Sequence, residues 1–169
     1  MEIYVDGGCR GNGKPGSKGA AAAVFRRKWG KHDYWTRVLP RYPPPTNQRA
    51  EITAIIIALE QALEEYDNLN GTPYLDVKIY SDSKYAVGCM NEWVYKWVQN
   101  GWRNAAGYEV ANRDLIEKAS NLDDRLKEEG KVQYIWIPRE ENEDADRYCN
   151  EAMDNDEEDD DDDDDDYYI

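Results

Sequence analysis

The stretch EIYVDGGCRGNG, Glu2 to Gly13, runs three β-formers (Ile3, Tyr4, Val5) into an aspartate and then into a glycine-rich segment. The pattern predicts a short strand over Glu2–Asp6 and a long turn over Gly7–Gly19. No Lys or Arg follows Asp6 before Arg10, so no sequence neighbour neutralises a carboxylate at a strand tip. A second segment repeats the arrangement: YLDVKIYSD, Tyr74 to Asp82, alternates as a strand and also finishes on an aspartate.

The elements between these segments relate the two aspartates. Ala20–Lys28 and Tyr34–Leu39 read as strands that continue a meander. PRYPPPTNQ, Pro40 to Gln48, is irregular because Pro lacks a donor and restricts the residue before it. Ile52, Ile55, Ile56, Leu59, Leu63 and Tyr66 recur at helical spacing, which predicts an amphipathic helix over Gln48–Tyr66 that ends at Asn70 and Gly71. Lys84–Met90 and Asn112–Glu128 read as helices, separated by the Trp-rich, glycine-punctuated EWVYKWVQNGWRNAAG. Lys131–Ile137 is a last strand and Glu140–Met153 a last helix. The layout is α/β. The first helix is a crossover that sets the Asp6 and Asp82 strands parallel, with both acids at neighbouring carboxyl ends, the edge where open α/β sheets place their sites.

Two carboxylates at one edge repel and raise each other's pKa unless a cation lies between them. With neither His nor paired Cys nearby, oxygen ligands point to Mg²⁺ or Mn²⁺ and away from zinc. Glu51, in the first turn of the long helix and one residue before its apolar stripe, is a third candidate. Asp146 is a fourth, but Glu140, Glu141, Glu143 and Asp144 surround it and spacing does not choose among them.

Composition sets the boundaries. The chain has 169 residues and a formal net charge of −15. Twelve of its 36 acidic residues lie between Asp154 and Asp166, leaving 24 acids against 21 Lys and Arg, so residues 1–153 carry only −3. We therefore divide the chain into a folded domain over 1–153 and an acidic, disordered tail over 154–169. That tail is a solubilising appendage or, more sharply, a nucleic-acid mimic that competes for the substrate groove. Cys9, Cys89 and Cys149 are odd in number and far apart, as expected of reduced thiols in an intracellular protein, cytoplasmic or nuclear. No signal peptide or membrane span is visible, and a monomer is the default expectation.

Five segments carry a family resemblance: YVDGGCRGNG, TNQRAEI, YSDSKYA, WVYKWVQNGWRNAAGYEVANRDLI and NEDADR. In order and spacing the chain resembles the type 1 ribonuclease H family over nearly all of its body. The resemblance implies the ribonuclease H-like fold, a five-stranded mixed sheet flanked by helices. It also assigns catalytic, metal-binding roles to Asp6, Glu51, Asp82 and Asp146, which selects Asp146 within the last helix. The implied activity is endonucleolytic hydrolysis of the RNA strand of RNA–DNA hybrids by two divalent ions, Mg²⁺ or Mn²⁺, leaving 3′-hydroxyl and 5′-phosphate ends.

By the same resemblance, Cys9, Asn12, Asn47 and Gln48 contact 2′-hydroxyls of the RNA strand. Trp93 and Trp97 form a channel for the DNA strand, and Thr46 and Asn112 grip a DNA phosphate, while Arg41 is offset from the matching position by the inserted prolines. The alternatives are a non-catalytic hybrid-binding protein of the same fold, a DNA-cleaving relative, or a reverse transcriptase-linked ribonuclease H domain.

One departure stands out. Many members carry a histidine loop before the last carboxylate, whereas WIPREENEDAD has about four fewer residues and no His. Glu140 and Glu141 are the expected substitutes. The chain's one histidine, His32, is expected to be plain surface.

Overall fold

The computed structural model describes residues 1–69 and 74–164, with side chains in the last helix described to 156. Five strands form one mixed sheet, β1 (Glu2–Arg10), β2 (Lys18–Arg26), β3 (His32–Val38), β4 (Leu75–Ser81) and β5 (Gly130–Trp136), in the order β3-β2-β1-β4-β5. β1, β2 and β3 are antiparallel, and β4 and β5 run parallel to β1, as the crossover required.

β1 does not stop at Asp6. It continues to Arg10 because Gly7–Arg10 still pair with Ala21–Lys18 across the hairpin. What ends near Asp6 is the parallel ladder, whose last pair is Val5 with Ser81. Asp6 thus sits where β1 keeps one neighbour and loses the other, which leaves room beside it.

Strand alternation sorts the side chains. Ile3 and Val5 of β1, with Ala21, Ala23 and Phe25 of β2, join the main core beneath the long helix α1 (Asn47–Asp67). Ala20 and Ala22 face the other way and pack with Cys149 and Met153 of the last helix, α5 (Glu143–Asp164). The alanine run of β2 is small enough to be covered on both faces. α1 is buried almost all round, with Thr53, Ala54, Ile57 and Ala58 buried beside the expected stripe. It is enclosed by the sheet and by α4 (Arg113–Lys127), which contributes Ile116, Ala119 and Leu126 to the core. The helix stop expected at Asn70 and Gly71 lies outside the described residues.

The Trp-rich segment is more regular than its glycines suggested. α2 (Lys84–Gly88) runs through one wide turn over Cys89–Trp93 into α3 (Val94–Asn100), so Trp93 and Trp97 are helical. Gly101, at φ 74°, ends that helix in the left-handed region that glycine adopts without strain.

α5 also overruns its expected end. The last helix, expected to end at Met153, continues to Asp164. Two ion pairs hold the start of this extension: Arg10 Nη2 to Asp154 Oδ1 at 2.7 Å and Arg41 Nη2 to Asp156 Oδ2 at 3.9 Å. Residues 165–169 lie outside the described residues. Among the described residues, no helix is long and apolar enough to cross a membrane.

Candidate active site

A cleft of about 430 Å³ opens where the β1–β4 ladder ends, and Asp6, Glu51, Asp82 and Asp146 all line it. Each acid comes from a different part of the chain: β1, the first turns of α1, the residue after β4, and the first turn of α5. The sequence-selected carboxylates therefore meet.

Close backbone packing brings Glu51 to the sheet. A Cβ on Gly7 would lie 2.2 Å from the Ala50 carbonyl carbon and 2.4 Å from the Glu51 nitrogen. Only glycine lets β1 pass so near the start of α1. Thr46 starts that helix, its Oγ1 accepting from the Arg49 N–H at 3.1 Å. Ser83 performs the same service for α2, accepting from the Ala86 N–H at 3.0 Å, and its hydroxyl also donates to Glu51 Oε2 at 2.5 Å. Opposite, Asn142 is 1% exposed and donates its Nδ2 to the Val5 carbonyl at 2.8 Å, which ties the start of α5 to the residue before Asp6.

The electrostatics are those of crowded acids. Burial, then the charge of Asp82, then a hydrogen bond to Asp146 raise Asp6 to about 8, well above its ordinary 3.8. Burial also raises Glu51, while the Ser83 hydroxyl and the Arg139 guanidinium oppose it. Asp82 is raised by burial too, with Asn142 and Arg139 pulling it back.

Among the described residues, no group of three or more His, Cys, Asp or Glu side chains is arranged so that it could hold a metal ion. The chemistry of the cleft nevertheless fits a hard divalent cation. Its donors are carboxylate oxygens, and Asp82 Oδ2 is buried without a hydrogen-bond partner.

The expected substrate-contact residues form a connected rim. The Cys9 N–H donates to Asn47 Oδ1 at 3.0 Å, and the Asn47 N–H donates to Asn12 Oδ1 at 2.9 Å. The Pro45 carbonyl accepts from the Gly13 N–H at 3.0 Å, Ser17 Oγ at 3.1 Å and Cys9 Sγ at 3.2 Å, pinning the glycine turn beside α1. Asn112 sits at φ 62°, a left-handed position that Asn tolerates, and its amide reaches Tyr85 Oη at 2.9 Å and Gln48 Oε1 at 3.4 Å. Trp93 and Trp97 are neighbours, ring centroids 6.1 Å apart, and Trp93 rests on Gly88, where a Cβ would come within 2.9 Å of the indole.

Two expectations need revision, and one residue was missed. Glu140 and Glu141 occupy a short 3₁₀ turn, Arg139–Glu141, ahead of α5, and line a separate pocket with Tyr4 and Arg26. They do not line the acid cleft, because the turn aims successive side chains in different directions. Arg139, which sequence reasoning passed over, does line it. Its only sequence signal was its place in the shortened loop. His32 is not plain surface: its Nε2 is 2.7 Å from Tyr148 Oη, joining β3 to α5.

Comparison with known proteins finds relatives over most of the chain. A family model described as RNase H matches residues 1–154. A ribonuclease H of Erythrobacter litoralis is 34% identical over 158 residues, covering 91% of this chain and 96% of its own. Among solved structures, LC11-RNase H1 in complex with RNA/DNA hybrid is 29% identical, with a TM-score of 0.60 over 91% of this chain and 96% of that one. The RNase H1 of the halophilic archaeon Halobacterium salinarum is 28% identical, with a TM-score of 0.58 over 91% of this chain and 97% of its own.

Proposed function

The chain belongs to the ribonuclease H family, enzymes that hydrolyse the RNA strand of RNA–DNA hybrids, and we propose that Asp6, Glu51, Asp82 and Asp146 carry that reaction here. The observation behind this assignment is the meeting of four carboxylates, from four separate elements, in one cleft. Nucleases of this family depend on divalent metal, and an all-oxygen set favours Mg²⁺, with Mn²⁺ a competent replacement. Bound as a pair, such ions supply an activated water and charge stabilisation for the departing 3′ oxygen, giving 3′-hydroxyl and 5′-phosphate ends.

The chain's own groups prepare that chemistry. Asp6 must release its proton before it can act as a ligand. Ser83 fixes one oxygen of Glu51 and so limits the directions the carboxylate can take. Asn142 holds α5, and with it Asp146, against β1. Such positioning, rather than covalent chemistry, is what the protein contributes to phosphodiester hydrolysis.

Strand choice is assigned to the rim. Cys9, Asn12, Asn47 and Gln48 face the RNA 2′-hydroxyls, the groups that distinguish RNA from DNA at one nucleotide. Trp93 and Trp97 offer aromatic faces to the DNA strand, and Thr46 and Asn112 grip one of its phosphates. Because one chain supplies all four acids, a monomer suffices, and residues 1–153 hold every residue assigned here.

The test is cleavage of an end-labelled RNA–DNA hybrid with Mg²⁺, beside duplex RNA and duplex DNA. The expected result is internal cutting of the hybrid's RNA strand alone. Binding without cutting would replace this reading with that of a non-catalytic hybrid-binding protein.

A further inference from the structure

We propose that the tip of the β2–β3 hairpin, Lys28 to Lys31, is a second nucleic-acid contact: Trp29 stacks on a base of an unpaired strand, and the lysines beside it take the flanking phosphates. The contact goes beyond the function given above and does not rest on the four acids, because the tip lies at the other end of the sheet. Asp6 pairs with Ala22 and Glu2 with Arg26, so the chain runs about 20 Å from the level of Asp6 before it reaches Lys28.

Three observations carry it. First, Trp29 is a large apolar ring left in water. It is 93% exposed, and among the described residues it has no ring or cation partner. Second, its backbone is held in the left-handed region at φ 64°, which costs free energy for every residue except glycine. Trp102 shares that conformation at φ 62°, but it is 7% exposed and lies against Trp97, so burial offsets the strain. No burial offsets it at Trp29. Third, the charges beside Trp29 are available. Arg26 lies over the Tyr4 ring at 4.0 Å, and Arg27 is bound to both Asp33 and Glu65, which fixes the base of the hairpin. Lys28 and Lys31 are exposed and, among the described residues, make no ion pair. The Arg27 N–H closes the turn on the Lys31 carbonyl at 2.8 Å, so both lysines and the indole are carried on a short, pinned loop.

A single strand has the matching chemistry. Any unpaired base offers a face that stacks on an aromatic ring, and its backbone offers negative charge on either side. A duplex fits less well because its bases are already stacked on one another. A membrane surface fits less well too, since one ring among Lys28, Gly30, Lys31 and His32 makes no apolar face to bury among acyl chains.

The test is the affinity for a labelled single-stranded DNA of about 12 nucleotides, measured in EDTA by fluorescence anisotropy over a salt series. Trp29→Ala should weaken binding at least about fivefold, and Trp29→Phe should keep most of the affinity. The double variant Lys28→Ala, Lys31→Ala should reduce the slope of log affinity against log salt by about 1.4, the value for two phosphates of a single strand. Trp29→Gly should bind as poorly as Trp29→Ala yet melt no lower than the unaltered chain, because glycine relieves the left-handed strain. Affinity within about twofold in Trp29→Ala, or an unaltered salt slope in the double variant, would overturn the proposal. So would a lowered melting temperature in Trp29→Gly, which would make the ring a structural one. Trp29-dependent binding to phosphatidylserine vesicles with unaltered oligonucleotide affinity would overturn it in favour of a membrane contact. Failure of the unaltered chain to cut hybrid with Mg²⁺ would instead sink the proposed function.

Discussion

Ser83 Oγ donates to Glu51 Oε2 at 2.5 Å while accepting from the Ala86 N–H at 3.0 Å. One hydroxyl therefore starts a helix and holds an acid of the cleft. Ser83→Ala should cost about 1 kcal/mol as a lost helix cap. It should also raise the Mg²⁺ concentration for half-maximal cleavage several-fold, because Glu51 loses the bond that opposes its burial. Ser83→Thr should restore both. An unchanged Mg²⁺ requirement in Ser83→Ala would separate the cap from the site.

Gly7 is the point of closest approach between β1 and α1, with space for no Cβ. Gly7→Ala should destabilise the chain by at least about 3 kcal/mol in urea unfolding, since backbone on both sides must move. A variant within 1 kcal/mol of the parent chain would contradict this packing.

The raised pKa of Asp6 makes a signed prediction in EDTA. Unfolded, Asp6 loses its proton near 3.8, and folded it keeps it to about 8. Over that window the native state binds the extra proton, so this contribution is full below pH 4 and is lost as pH rises through 8. Asp6→Asn should flatten that fall and be more stable than the parent chain at pH 8.5. Parallel stability curves for the two proteins would contradict it.

The Arg10–Asp154 pair, at 2.7 Å, puts an acid of the extended α5 on a basic residue of the cleft. Removing residues 154–169 should lower KM for hybrid, most at low salt, where charge competition is least screened. Equal KM values across a salt series would show that the acidic extension does not compete with substrate.

Much of this site was legible before the structure. Two strands ending on aspartates and a helical crossover placed Asp6 and Asp82 at one edge from pattern alone, since periodicity reports which face is buried. Asp146 was not separable from its acidic neighbours, because spacing within a helix does not say which carboxylate faces the sheet, and the family motif supplied the choice. The overrun of β1 past Asp6 was hidden by Gly7 and Gly8, whose strand pairing comes from Ala20 and Ala21 across the hairpin and not from their own propensity. The helical Trp segment was hidden by Gly101 and Gly107, which lie after α3 rather than within it. Arg139 and Ser83 left no pattern, because their roles depend on contacts made only when distant segments fold together.

Asp82→Asn keeps the shape of the side chain and removes its charge at the cleft, so turnover of a labelled RNA–DNA hybrid with Mg²⁺ decides whether the four acids act together. The expected result is a loss of at least about a hundredfold with the melting temperature retained. Turnover near that of the unaltered chain would mean that the reaction does not run through this cleft.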